Sequence, residues 1–69
     1  MKVTKTNRGF ATIKFKDYNE QDCSLQKSSL ATDDCVWLGN DNLNRMHLTK
    51  AQVKKLLPHL QKFVESGDI

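Results

Sequence analysis

The fold of this chain is decided by residues 49–67, which read TKAQVKKLLPHLQKFVESG. Apolar side chains recur in this stretch with the three- and four-residue spacing of one helical stripe. The stripe consists of Val53, Leu56, Leu57, Leu60, Phe63 and Val64. Thr49 and Gln52 have the spacing of a capping box, and Gly67 suits the left-handed residue that closes a helix. The pattern predicts an amphipathic α-helix over residues 50–66.

The residues before this helix alternate as strands do. Ala11, Ile13 and Phe15 are separated by polar side chains, which is the period-2 pattern of a half-buried strand. Similar runs bounded by turn residues predict strands at about 9–16, 22–30, 35–38 and 45–48. We therefore expect a single domain over residues 1–69 of the α+β class. It is a small antiparallel β-meander of three to four strands, followed by one C-terminal amphipathic α-helix packed on a sheet face.

Composition and charge exclude several classes of protein. The chain has 69 residues, of which 38% are apolar, so its core must be small. It contains no run of 18 apolar residues, and two cysteines are too few for a disulfide framework, which together predict a cytoplasmic protein without a membrane span. The net charge of +3 divides into a basic segment, residues 1–16, an acidic segment, 17–44, and a second basic segment. The acidic segment would be repelled by phosphates, so we do not expect nucleic acid as the partner.

Metal and catalytic motifs are weak in this sequence. Cys23, Cys35, His47 and His59 follow one another at equal wide intervals, whereas structural zinc sites use close pairs of ligands. No Gly-x-Ser-x-Gly elbow accompanies the serines. We therefore expect no enzyme activity, catalytic residue, metal ligand or cofactor. The cysteines are interpreted as buried free thiols, with a disulfide as the alternative.

A polar and aromatic face emerges from the strand alternation. Trp37 is out of phase with its apolar neighbours Val36 and Leu38, and Arg45 and His47 are out of phase with Met46 and Leu48. If the apolar side chains face the core, the other face carries an indole, a guanidinium and an imidazole. The predicted ligand-binding residues are Arg8, Gln26, Ser28, Ser29, Trp37, Arg45 and His47.

These side chains suit a nucleotide. The indole can stack on a base, arginine can bind phosphate, and hydroxyl and amide groups can bind the sugar. Two other interpretations remain open: Trp37 lies at a subunit interface with polar residues at its rim, or this face is simply exposed.

Six short motifs are spread along the chain from Arg8 to near its end: RGF at 8–10, CSLQKSSLA at 23–31, WLG at 37–39, RMHLT at 45–49, LLP at 56–58 and ESGD at 65–68. With this pattern the chain resembles a family of small phage and prophage accessory proteins. The resemblance carries no catalytic residues with it. It implies a protein of the host-cell cytoplasm that counters host defence by binding, either as a direct inhibitor such as an anti-CRISPR protein or as a sponge for a nucleotide-derived signal.

The function expected from these observations is sequestration of a nucleotide-derived host immune signal by a non-enzymatic homodimer or higher oligomer. The first alternative is a protein-binding inhibitor of a host defence component, and the second is a DNA-binding accessory protein. Self-association is expected through the sheet face that carries Trp37, because Phe10 and Trp37 have no evident place in a monomer core.

Overall fold

Five antiparallel strands follow one another along the chain and across the sheet in the computed structural model, which describes residues 1–69. The elements are β1 (Val3–Lys5), β2 (Ala11–Lys16), β3 (Asp22–Lys27), β4 (Cys35–Asn40), β5 (Met46–Thr49) and α1 (Lys50–Ser66). The sheet order is β1-β2-β3-β4-β5, a meander. The α+β class and the single C-terminal helix are confirmed, but the sheet has five strands where three to four were predicted.

The strand absent from the prediction is β1. It pairs with β2, so that Val3 lies opposite Ile13 and Lys5 lies opposite Ala11. All three of its residues are exposed, and a run of three with one apolar side chain has no readable alternation. Tertiary pairing with β2 therefore creates a strand that its own residues do not predict.

Several strand bounds differ from the prediction: β2 begins at Ala11, β5 is shifted by one residue to Met46–Thr49, and the ends of β3 and β4 move. β3 ends at Lys27, because the Ser28 hydroxyl accepts a hydrogen bond from the Leu30 amide at 3.1 Å and turns the chain. β4 continues through Gly39, which stays paired with Ser24, and ends at Asn40.

The helix begins and ends where the sequence places it. The Thr49 hydroxyl accepts from the Gln52 amide at 3.2 Å, and the Gln52 side chain accepts from the Thr49 amide at 2.9 Å, so the capping box is complete. Gly67 has a φ of 78° and donates to the Phe63 carbonyl. The helix continues through Pro58. Its length and composition are below what a bilayer span requires.

The predicted packing of α1 on a sheet face is wrong. None of its residues is buried, and the side chains from Leu56 to Val64 on its apolar stripe are exposed. The main contact of α1 is with β5. Thr49 is both the last residue of β5 and the N-cap of α1, so no loop exists to bring the helix back over the sheet.

Strand register separates the sheet into two faces, because side chains of directly paired residues point to the same side. One surface, termed the apolar face, carries Val3, Ile13, Leu25, Leu38 and Met46 in one row and Val36 and Leu48 in another. The opposite surface, termed the polar face, carries Thr12, Lys14, Ser24, Gln26, Trp37 and His47. The alternation therefore assigned these side chains to the correct faces.

The monomer has a very small buried core. Only 5 of 69 residues are buried, and they are small: Thr12, Cys23, Ser24, Ser28 and Cys35. The two cysteines are free thiols. Cys23 lies opposite Asn40, at the far end of β4 from Cys35, which is too distant for a disulfide.

Candidate functional site

A row of four side chains crosses the centre of the polar face. Thr12, Gln26, Trp37 and His47 are consecutive partners on β2, β3, β4 and β5. The indole therefore stands between an amide and an imidazole.

Trp37 and His47 stack on each other. Their ring centroids are 3.9 Å apart and the planes differ by 8°. The Nε2 atom of His47 lies 2.9 Å from the hydroxyl of Ser28, which is itself buried. This contact holds the imidazole in place, and the imidazole in turn fixes the plane of the indole.

Arg45 reaches across β4 to the strand beyond it. Its Nη1 atom donates to Ser24 Oγ at 3.3 Å and to Gln26 Oε1 at 3.4 Å. Its Cζ atom is 5.5 Å from the centroid of the Trp37 ring, within the range of a cation–π contact. Gly39 opens this path, since a Cβ at that position would lie 3.1 Å from the Arg45 Cα.

Asp41 holds Ser24, the residue that Arg45 contacts, in place. One carboxylate oxygen accepts from the Ser24 hydroxyl, and the other accepts from Lys14 Nζ at 2.9 Å. These two hydrogen bonds, the one from Ser24 foremost, hold the pKa of Asp41 below its usual range. The carboxylate is therefore ionised at neutral pH and is already engaged by its own chain.

A cavity of about 310 Å³ lies beside the indole, and we call it the Trp37 cavity. Its lining consists of Thr6, Asn7, Arg8, Phe10, Gln26, Ser29 and Trp37. The β1–β2 turn supplies Arg8, whose Cζ atom is 5.8 Å from the centroid of the Phe10 ring. The cavity thus combines two aromatic rings, one guanidinium and several neutral hydrogen-bonding groups, within the volume range of small-molecule sites.

The seven predicted site residues come together on this surface. Four of them line the Trp37 cavity, namely Arg8, Gln26, Ser29 and Trp37. The other three adjoin it: Arg45 contacts Gln26, and His47 joins Trp37 to Ser28. Thr6 and Asn7 were not predicted, because their place in the cavity depends on the hairpin that β1 forms with β2.

A larger cavity of about 500 Å³ lies at the other end of the sheet, lined by Lys14, Phe15, Lys16, Asp22, Cys23, Asp41 and Asn42. Both of its lysines are paired with carboxylates at 2.9 Å, Lys14 with Asp41 and Lys16 with Asp22. Its cations are thus already neutralised, and it is less suited to an anionic ligand than the Trp37 cavity.

Outside this surface, two further features bear on chemistry: the Cys23 thiol and the placement of metal-ligating side chains. Burial, followed by the charges of Asp17 and Asp41, raises the pKa of the Cys23 thiol, which keeps it protonated and unreactive at neutral pH. No group of three or more His, Cys, Asp or Glu side chains is placed to hold a metal ion.

No protein-family model, curated protein or solved structure matches this chain.

Proposed function

We propose that this protein is a non-enzymatic sponge that binds a nucleotide-derived signal of host immunity on its polar face and removes it from solution. The observation that carries this proposal is the Trp37 cavity, in which an indole held by His47 borders a space of about 310 Å³. An indole whose plane is already fixed can stack on a base without losing rotamer freedom on binding.

The charges around the cavity support an anionic ligand. Arg8 lines it, and Arg45 lies over the ring of the same indole. Neither arginine forms a salt bridge with a carboxylate. The Nη1 atom of Arg45 is engaged by Ser24 and Gln26, but its Nε and Nη2 atoms remain available for the two parallel hydrogen bonds with which arginine binds phosphate. Gln26 and Ser29 add neutral groups that suit a ribose or a base edge.

The resemblance to phage accessory proteins supplies the biological context. A phage protein that acts by binding needs no catalytic residues, and a sponge removes a signal without turnover. The expected location is the host-cell cytoplasm, where such signals act, and the expected assembly is a homodimer or higher oligomer.

The test is a titration with cyclic dinucleotides and cyclic ADP-ribose isomers at micromolar protein. The chain contains one tryptophan, so its fluorescence reports directly on this site. We expect the Trp37→Ala variant to bind about 5- to 150-fold more weakly by calorimetry, since stacking of a base on an aromatic side chain contributes about 1–3 kcal/mol. We expect Arg45→Gln to weaken binding about tenfold or more, because a charge-assisted hydrogen bond is lost.

Two control variants match these changes. Tyr18→Ala removes an aromatic ring that is 99% exposed in the β2–β3 turn, and Lys2→Gln removes an exposed cation near the N-terminus. Both should bind as the wild type does. Absence of heat and of any fluorescence change with every one of these ligands would sink the proposal.

The alternative of a protein-binding inhibitor relies on the same face or on the acidic residues Asp33, Asp34 and Asp41. Asp41 is engaged by Ser24 and Lys14, and Asp34 lies 3.6 Å from Lys27, so a free acidic patch is small. A stoichiometric host protein recovered with the wild type and lost with Trp37→Ala, in the absence of nucleotide binding, would favour this alternative.

A DNA-binding role would rely on lysines such as Lys54 and Lys55 of α1. It requires binding to duplex DNA that weakens steeply with salt, and it requires the loss of that binding when both lysines are replaced by glutamate.

A further inference from the structure

The monomer exposes far more surface than a chain of its mass normally does. A folded monomer of 7.9 kDa is expected to expose about 4,400 Å². This chain exposes 5826 Å², an excess of about 1,400 Å² over that scaling. Two copies that removed the excess would bury about 2,800 Å² in total, which is typical of an obligate homodimer.

Five of the exposed large apolar side chains lie on one stripe of α1. The stripe side chains Leu56, Leu57, Leu60, Phe63 and Val64 are 45%, 60%, 57%, 55% and 77% exposed. Trp37 and Phe10, by contrast, are of intermediate burial. Val3 and Met46 of the apolar face are also exposed, at 59% and 53%, so the apolar surface that lacks a partner lies on the helix and on the apolar face, away from the face that carries Trp37.

The stripe is continuous with the apolar face of the sheet. Val53, its first residue, lines a cavity of about 160 Å³ together with Val36 and Leu48 of that face. A partner seated along the stripe therefore reaches the edge of the apolar face and leaves the polar face open.

The order of charges along α1 favours a second copy of the same helix as the partner. Its first half carries Lys50, Lys54 and Lys55 with no acid, whereas its second half carries Lys62 and Glu65, and Asp68 follows just after its end. The first turn has no acidic residue and the last turn no basic one. This order opposes the helix macrodipole, which favours acids at the N-terminus and bases at the C-terminus. A second helix running in the opposite direction corrects both mismatches, because it brings its own acidic end beside these lysines.

We propose that the protein is a homodimer whose centre is an antiparallel pair of α1 helices. With the two-fold axis between His59 and Leu60, Leu56 lies opposite Phe63 of the second copy, and Lys54 lies opposite Glu65 of the second copy. The arrangement is reciprocal, so each contact forms twice. This dimer places the self-association surface on α1. Its formation does not depend on ligand binding, so it can be tested separately from the sponge function.

Sedimentation of the ligand-free protein gives the first measurement. The wild type should have the mass of two chains at micromolar concentration. Leu60→Asp should raise the Kd of self-association about 100-fold or more, since a large apolar side chain becomes charged in both copies. Leu43→Asp is the matched control, because Leu43 is 72% exposed in the β4–β5 loop, and it should leave the mass unchanged. A wild type that is a folded monomer at these concentrations would overturn the proposal.

Charge reversal tests the direction of the helices. Lys54→Glu or Glu65→Lys alone should weaken the dimer about tenfold, because two exposed attractions become repulsions. The double variant should return to within about threefold of the wild type. In a parallel pair Lys54 would face Lys54, so failure of the double variant to recover excludes the antiparallel arrangement.

Cysteine cross-linking keeps the test valid if a charged variant fails to fold. Because residue 60 lies next to the two-fold axis, the cysteine of Leu60→Cys should form a disulfide with the same cysteine of the second copy under mild oxidation. Val64→Cys should not, because antiparallel helices with a rise of ~1.5 Å per residue place the two copies of residue 64 roughly 13 Å apart along the axis. Equal cross-linking at both positions would indicate parallel helices and contradict the proposal.

Discussion

At the scale of single residues, Asp41 anchors the chain of hydrogen bonds that positions Arg45 on the polar face. Its carboxylate accepts hydrogen bonds from Ser24 and Lys14, and the Ser24 hydroxyl accepts one from Arg45. The guanidinium beside Trp37 is thus positioned through a serine by an anion that is not part of the lining of the Trp37 cavity. The pKa of Asp41 is lowered by these contacts, so protonation of this one group weakens the whole chain of hydrogen bonds.

Replacing Asp41 with asparagine should give a pH-dependent loss of stability. At pH 7 we expect the variant to be less stable than the wild type by ~1 kcal/mol, a modest value because the paired Lys14 is solvent-exposed. A carboxylate with a lowered folded pKa contributes fully above its unfolded pKa of about 3.9 and loses the contribution as pH falls through the folded pKa. Urea unfolding at pH 7 and at about pH 2 should therefore show the difference shrinking toward zero in acid.

The control for this variant is Asp22→Asn. Asp22 also pairs with a lysine at 2.9 Å, but its side chain is 64% exposed and accepts no buried hydroxyl. Its replacement should change stability by less than ~0.5 kcal/mol at either pH. A difference between Asp41→Asn and the wild type that stays constant from neutral to acidic pH would contradict the assigned role of the ionised carboxylate.

At the scale of elements, β4 is the strand on which the site depends. It presents Trp37 to the polar face and, two residues later, presents no side chain at Gly39, which allows Arg45 to cross to β3. Gly39 has a φ of 149°, a value that other residues rarely adopt. The same position is therefore restricted by backbone conformation and by the close approach of β5.

Replacing Gly39 with alanine should affect both stability and binding. The backbone strain and the added Cβ, 3.1 Å from the Arg45 Cα, should destabilise the fold by ~1–3 kcal/mol and displace Arg45. Urea unfolding measures the first effect, and calorimetry with whichever nucleotide binds the wild type measures the second. Gly67→Ala is the control: it also strains a residue of positive φ but meets no neighbouring atom, so it should lower stability and leave affinity unchanged. Equal affinity of Gly39→Ala and wild type would contradict the role given to Gly39.

The sequence predicts the elements better than their packing. The bounds of α1 follow from local signals, namely the capping box at Thr49 and the glycine at position 67. The grouping of Trp37, Arg45 and His47 follows from alternation along two strands. The contact of Arg45 with Ser24 cannot be predicted from alternation, because it depends on which residue of β4 lies between them. The position of α1 cannot be predicted from its sequence either, since an amphipathic stripe indicates that the helix packs against something but does not identify the surface.

At the scale of the whole molecule, the small number of buried residues predicts that stability depends on association. With 5 of 69 residues buried, a single copy lacks the core that a domain of this size needs. If the proposed α1 dimer forms, folding and dimerisation should be one transition, in which two unfolded chains form one folded pair.

The midpoint of thermal unfolding should therefore rise with protein concentration. For a pair of 69-residue chains we expect about 5 °C for each tenfold increase. Calorimetric scans over two decades of concentration measure this slope, and Leu43→Asp should retain it. A midpoint independent of concentration would mean that one copy folds alone and would contradict the coupling.

Under the two proposals, ligand binding and self-association use separate surfaces, the polar face and the apolar stripe of α1, and that separation determines how the protein would act in a cell. Pairing through α1 leaves the polar face of each copy open, so each chain holds its own site and the sites fill independently. A protein of this kind works by titration: one chain is consumed for each signal molecule removed. Its effectiveness is then set by copy number against the rate at which the host makes the signal, which favours a short chain that is quick to synthesise in large amounts.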